Sequence, residues 1–235
     1  VGADVIWWSD HDFRITGYGH VATFGFEDET EAMPTDGRVM ARRKKKNALV
    51  KALVPVETGA IAEGTTEFVG GDAREGEKSF RITAKSATPD FAAKRFAITA
   101  DRSLLKRPLA ADVTLLVSVF PEKVSADARP VIEITLSEHP PREGLPFEAY
   151  HLQYVLDDSV KQPARVGSTF VVPVPFKPDE WNDLSLPVSR DAARGFPFIV
   201  GEDNSLFQIV VGVEARNGAT ASARFDDLRI EQVLS

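Results

Sequence analysis

The sequence predicts an antiparallel β-sandwich over most of its length, on three observations. Several segments alternate apolar and polar residues with a period of two, turn-forming residues separate them at short intervals, and helical periodicity is scarce. Many short strands with Gly-, Pro- and Asp-bearing turns fit a sandwich better than a βαβ fold.

In chain order, His20 to Glu27 is the first candidate strand of the sandwich and Leu49 to Val56 the second. Met40 to Leu53 is ambiguous, because it also reads as a helix cut short by Val54-Pro55. Phe80-Arg81-Ile82-Thr83-Ala84 sets its apolar side chains on alternate positions, and Phe91 to Thr99 follows. Val113 to Phe120 is apolar on nearly both faces, which predicts a central strand. Ile132-Glu133-Ile134-Thr135-Leu136 alternates again. In the next strand Tyr150, Leu152, Tyr154 and Leu156 share one face, against His151 and Gln153 on the other. Thr169–Val174 and Asn182–Leu186 are shorter candidates. Ser189 to Arg194 predicts one short helix, with Ser189 as its N-cap and Gly195 just past its end. Phe207, Ile209, Val211 and Val213 form a further stripe. Turns are expected at Gly70-Gly71-Asp72, Pro140-Pro141, Asp157-Asp158, Pro175 to Pro178 and Asn217-Gly218.

The last strand changes phase. Ala223 and Phe225 set an odd apolar phase, whereas Leu228 and Ile230 set an even one. One extra residue in a strand reverses the faces that follow, so the slip at Asp226-Asp227 predicts a β-bulge.

The chain has 235 residues, 43% of them hydrophobic and 27% charged, the balance of a globular protein. Its net charge of -7 disfavours nonspecific nucleic-acid binding, which needs phosphate neutralisation by Lys and Arg. The run from Arg42 to Lys46 reads as a solvated face, with an anion-binding patch as the alternative. Zero cysteines exclude disulfides, thiolate zinc sites and thiol catalysis. No apolar run approaches the roughly 18 residues of a membrane-spanning helix, and no signal-peptide pattern is present, so neither a membrane partner nor a compartment is indicated. The start at Val1 rather than Met is expected for an excised or processed piece of a larger protein.

Phe24-Gly25-Phe26-Glu27 near the start, Gly76-Glu77-Lys78-Ser79-Phe80-Arg81-Ile82 in the middle and Phe225-Asp226-Asp227-Leu228 at the end occur in an order that resembles the jelly-roll carbohydrate-binding modules. The resemblance spans about residues 20–232 and implies a jelly roll that closes first strand on last. It also implies a structural Ca²⁺ held by Glu27 and Asp226 or Asp227, calcium needing six to eight oxygens. Aromatic sugar platforms are scarce: Trp181 and the stripe of Tyr150 and Tyr154 read as core, which leaves His151 and Gln153 as the candidate ligand-binding pair.

Residues 1–19 read differently. Val5 to Trp8 looks like a buried parallel strand running into the polar loop Ser9-Asp10-His11-Asp12. The stretch resembles the second motif of the PHP family of metal-dependent phosphoesterases. That resemblance implies that His11, supported by Asp10, is one corner of a Zn, Mn or Fe site completed elsewhere in a parent protein. The expectation is therefore two parts: a PHP-like head over 1–19, and a non-catalytic accessory sandwich over 20–235 that partners the rest of a bacterial metal-dependent hydrolase. Its role there would be substrate recruitment, active-site shielding or assembly. The alternative is a carbohydrate-binding module of a glycan-degrading enzyme. A third class, a hydrolase or lyase on the sandwich itself, would draw its acid and base from Glu133, Glu148 and His151.

Overall fold

The computed structural model describes residues 17–26, 52–56, 58–99, 107–108, 112–138, 149–198 and 204–234. They form two packed sheets, and the fold is a jelly-roll β-sandwich. The six-stranded sheet runs in the order β12 (Asn182–Leu186), β7 (Val113–Lys123), β14 (Thr220–Leu234), β4 (Lys78–Lys85) and β3 (Glu63–Gly70), with β1 (Gly17–Phe24) also paired to β14. The eight-stranded sheet runs β10 (Ala164–Val166), β11 (Thr169–Pro173), β9 (Ala149–Val155), β8 (Ala128–Glu138), β13 (Asn204–Ala215), β5 (Ala92–Thr99) and β2 (Ala52–Pro55). There β6 (Arg107–Pro108) also pairs with β13. Pairings are antiparallel except for β11 beside β9.

Alternation decides the layers, as expected of half-buried strands. Ile132, Ile134 and Leu136 from β8 meet Phe80, Ile82 and Ala84 from β4 in one continuous apolar core, joined by Val113, Leu115, Val117 and Val119 of β7. Each large aliphatic or aromatic side chain removed from water there contributes about 1.5–3 kcal/mol. Phe80 anchors the layer: Phe26 stacks on it at 5.9 Å and Phe96 meets it edge-on at 5.2 Å. On β9, Leu152 and Tyr154 face the core as predicted, and the Tyr154 hydroxyl donates to Asp191 Oδ2 of the helix at 3.1 Å.

Three features of the chain path follow from local chemistry. Asn217 and Gly218 both adopt positive φ, and the Ala219 N–H donates to the Arg216 carbonyl at 2.9 Å, so the β13–β14 connection is the tight hairpin that Asn-Gly favours. The bulge in β14 lies where the phase slip places it: pairing with β7 shifts between Asp226 and Arg229, and Asp227 has a φ of 44°. A second irregularity, between Leu206 and Gln208 of β13, sets Leu206 in the core three residues before Ile209, so the apolar stripe is not a simple alternation there.

The helix, α1 (Val188–Gly195), differs from the prediction at its start. Its N-cap is Pro187, with no side-chain cap. The Ser189 hydroxyl instead accepts the N–H of Val113 at 3.0 Å, tying α1 to the start of β7. Among the described residues no helix is long and apolar enough to cross a membrane. The ambiguous Met40–Leu53 segment lies outside the described residues except where β2 begins.

Candidate functional site

The outer face of the eight-stranded sheet is built from the residues that alternate with the core. Cross-strand register sets Glu133 opposite Gln153 and Thr135 opposite His151, and on the other side of β8 sets Arg129 opposite Glu214. Arg95 from β5 joins them, and the result is an ordered lattice. Glu214, whose side chain is 4% exposed, is salt-bridged to Arg95 and accepts from Arg129 Nε at 2.8 Å and from Gln153 Nε2 at 2.9 Å. Arg95 also donates to Glu133 Oε2 at 2.8 Å, and Arg129 reaches Asp157 Oδ2 at 3.2 Å. Buried charges of this kind persist only when paired and hydrogen-bonded.

His151 stands at the open end of the lattice with its side chain 30% exposed. Its Nδ1 lies 3.2 Å from Glu133 Oε1 and 3.4 Å from Thr135 Oγ1. Burial pushes the Glu133 carboxyl up, but the hydrogen bond from His151 and the nearby Arg95 guanidinium outweigh it, so Glu133 sits below its ordinary value. The face therefore presents a fixed carboxylate, an imidazole and a hydroxyl side by side.

An aromatic cleft of about 650 Å³ opens at the same end of β9, on the Tyr150 side of the strand and opposite the His151 side. Tyr150, Phe198, Arg165 and Ser168 line it, and the Ser168 carbonyl accepts the His151 N–H at 2.8 Å. Phe198 is 52% exposed; its ring centre lies 5.5 Å from that of Tyr150, and the Arg165 guanidinium carbon is 4.8 Å from it. Arg165 is steadied by donation from Nε to the Gly167 carbonyl at 2.9 Å.

The structure thus brings His151 and Gln153 to one face, as the strand pattern predicts, and adds Glu133. Glu148, His11, Asp10 and Glu27 lie outside the described residues, as does the Arg42–Lys46 run. Asp226 and Asp227 sit in the other sheet. Asp226 is fully buried: its Oδ2 accepts the backbone N–H groups of Arg74 at 2.5 Å and Glu75 at 3.1 Å, and its Oδ1 accepts that of Asp227 at 2.7 Å. Asp227 is paired with Arg229. Both carboxylates are thus engaged by N–H donors, and among the described residues no group of three His, Cys, Asp or Glu could hold a metal ion.

Trp181 corrects a core expectation. It is half-buried on the outer face of the six-stranded sheet, edge-on to Phe120 at 5.6 Å, with Nε1 donating to Asp72 Oδ1 at 3.2 Å. The sequence reading missed Arg95, Arg129, Arg165 and Glu214. Glu214 carried a signal, a charge alternating with Val213 and Ala215; the arginines needed the strand order to be known.

No protein-family model matches the sequence, and no curated protein matches it. Solved structures do match in fold. A native family 12 xyloglucanase from Bacillus licheniformis superposes with a TM-score of 0.53 at 8% identity, covering 92% of this chain and 99% of that one. The catalytic domain of Humicola grisea Cel12A, in complex with a soaked thio cellotetraose, gives 0.51 at 13% identity, covering 78% and 93%. The family 11 carbohydrate-binding module from Clostridium thermocellum, in complex with a β-1,3-1,4-mixed-linked tetrasaccharide, gives 0.41 at 10% identity over 76% and 87%. The class is therefore the jelly-roll β-sandwich of the family 12 xyloglucanase and Cel12A, and at these identities the likeness is one of fold.

Proposed function

We propose that this chain is a non-catalytic carbohydrate-binding sandwich that takes a neutral glycan at the His151 end of the eight-stranded sheet. The observation that carries the reading is the aromatic cleft at the end of β9, the strand whose opposite face carries His151. Exposed Phe198 and half-buried Tyr150 offer ring faces for sugar C–H groups, with Arg165 beside them as a donor for hydroxyls, and His151 with Glu133 offers hydrogen-bonding atoms on the other face of β9 at the same end. Support also comes from the fold shared with the xyloglucanase and with Cel12A, the latter in complex with a soaked thio cellotetraose.

On the outer face of the eight-stranded sheet, binding is favoured over hydrolysis by the state of its two central carboxylates, Glu133 and Glu214. Glycoside hydrolysis uses two carboxyl groups, one kept protonated to deliver a proton to the leaving oxygen. Glu133 is displaced in the opposite direction, and Glu214 is spent on two guanidinium groups and an amide.

Titration calorimetry with cellotetraose and a xyloglucan oligosaccharide tests the proposal. The expected result is saturable binding, weakened about tenfold, or about 1.4 kcal/mol, by His151→Ala and by Phe198→Ala. No reducing sugar should be released. Flat titrations across the panel, or turnover abolished by Glu133→Gln, would overturn the reading. The wider setting, an accessory part of a PHP-type hydrolase with Asp10 and His11 in its metal site, is inferred from the Gly2-Ala3-Asp4-Val5-Ile6 stretch followed by Ser9-Asp10-His11.

A further inference from the structure

A second cleft, of about 430 Å³, lies on the opposite side of the sandwich, on the outer face of the six-stranded sheet. Its volume is within the range of about 300–1,000 Å³ typical of small-molecule sites. Half-buried Leu116 contributes apolar surface, and the walls are two ion pairs, Arg74 with Asp183 and Arg229 with Asp227, together with Glu75 and Ser185.

These walls are held in place. The loop between β3 and β4 brings in Arg74 and Glu75, and buried Asp226 fixes it by accepting both of their backbone N–H groups. Asp72 of the same loop is tied down by Arg224 and by Trp181 Nε1. Across the cleft, Asp183 accepts from Arg74 Nε and from Ser118 Oγ, each at 2.8 Å. In both ion pairs the arginine uses Nε and Nη2, so the Nη1 groups of Arg74 and Arg229 have no hydrogen-bond partner among the described residues.

The charge pattern selects the ligand. The two guanidinium groups balance the carboxylates of Asp183 and Asp227, and the hydrogen bond that Glu75 shares with Asp227 holds its carboxyl above the ordinary value. A phosphate or carboxylate ligand would meet two acids at once, and a cation would meet two arginines. A neutral polyol suits both partners: one hydroxyl donates to a carboxylate while its neighbour accepts from a free guanidinium N–H.

We propose that this cleft is a second saccharide site, so that one domain engages two glycan segments, one on each outer face. The proposal rests on the carbohydrate-binding reading above, and the experiment separates the two. Calorimetry with cellotetraose and a xyloglucan oligosaccharide is run on the wild-type chain, His151→Ala, Arg74→Ala and Ser185→Trp. Ser185 is exposed, so Ser185→Trp fills the cleft without removing a contact, and equal thermal midpoints establish that each variant is folded. Two sites per chain are expected, with His151→Ala weakening one about tenfold and either cleft variant weakening the other at least tenfold. One site weakened only by His151→Ala overturns the second site and leaves the first. One site lost only on Ser185→Trp keeps the cleft and removes the His151 site. No binding by any form overturns both.

Discussion

Asp226 has no solvent exposure, yet its carboxylate accepts N–H groups from three backbone positions, two of them about 150 residues away in sequence. A buried donor left without its acceptor costs about 1–3 kcal/mol. Asp226→Ala is therefore expected to lower the unfolding free energy by about 3 kcal/mol or more in urea titration, and Asp226→Asn by less, since the amide oxygen still accepts. An alanine variant as stable as the wild type would show the loop to be held by something else. At this scale the sequence was informative about position and silent about partners. The phase change around Asp226-Asp227 is written into four apolar residues, Ala223, Phe225, Leu228 and Ile230, whereas the approach of Arg74 depends on how β3 and β4 lie beside β14. Trp181 shows the same limit: Leu184 and Leu186 after it are buried, but Trp181 itself precedes β12 and turns to the opposite face.

Among the elements, β14 depends most on its irregularity. Both halves of the strand bury their apolar residues only because the bulge supplies one extra position. Deleting Asp227 should turn Leu228 and Ile230 outward and bring Arg229 to the core side, since a one-residue slip exchanges the faces. The expected outcome is loss of the cooperative melt, read by near-ultraviolet circular dichroism; a native spectrum with an unshifted midpoint would contradict this account. Strands with one buried face, such as β4, β8 and β9, were legible because the core imposes the period of two. Strand β3 was not: most of Glu63–Gly70 is exposed, so no burial pattern marks it, and pairing to β4 makes it a strand. The three-residue β10 is exposed throughout and equally silent.

For the whole molecule, ion pairs set the response to acid. Asp72, Asp127, Asp183, Asp227 and Glu133 are all held below their ordinary values, in each case with an arginine among the causes. A carboxyl with a depressed folded-state pKa contributes stability above its unfolded value, near 4, and loses it as pH falls through the folded value. The melting midpoint should therefore be flat above about pH 5 and fall steadily below about pH 4. Glu75 opposes this trend, because its raised value favours the fold while it is protonated. A midpoint that holds constant from pH 5 to about pH 2 would mean that these pairs contribute nothing net.

The pairing of β1 with β14 carries a consequence for how such a sandwich can be built into other proteins. Gly17 is the register partner of Leu234, so the entry and exit of the described fold lie side by side, one strand spacing of about 4.8 Å apart in the hydrogen-bonding direction. A unit with adjoining ends can be grafted into a surface loop of a host without prising the host's own segments apart, and its two ends can be joined and the ring reopened elsewhere. The same closure that completes the six-stranded sheet makes this fold portable.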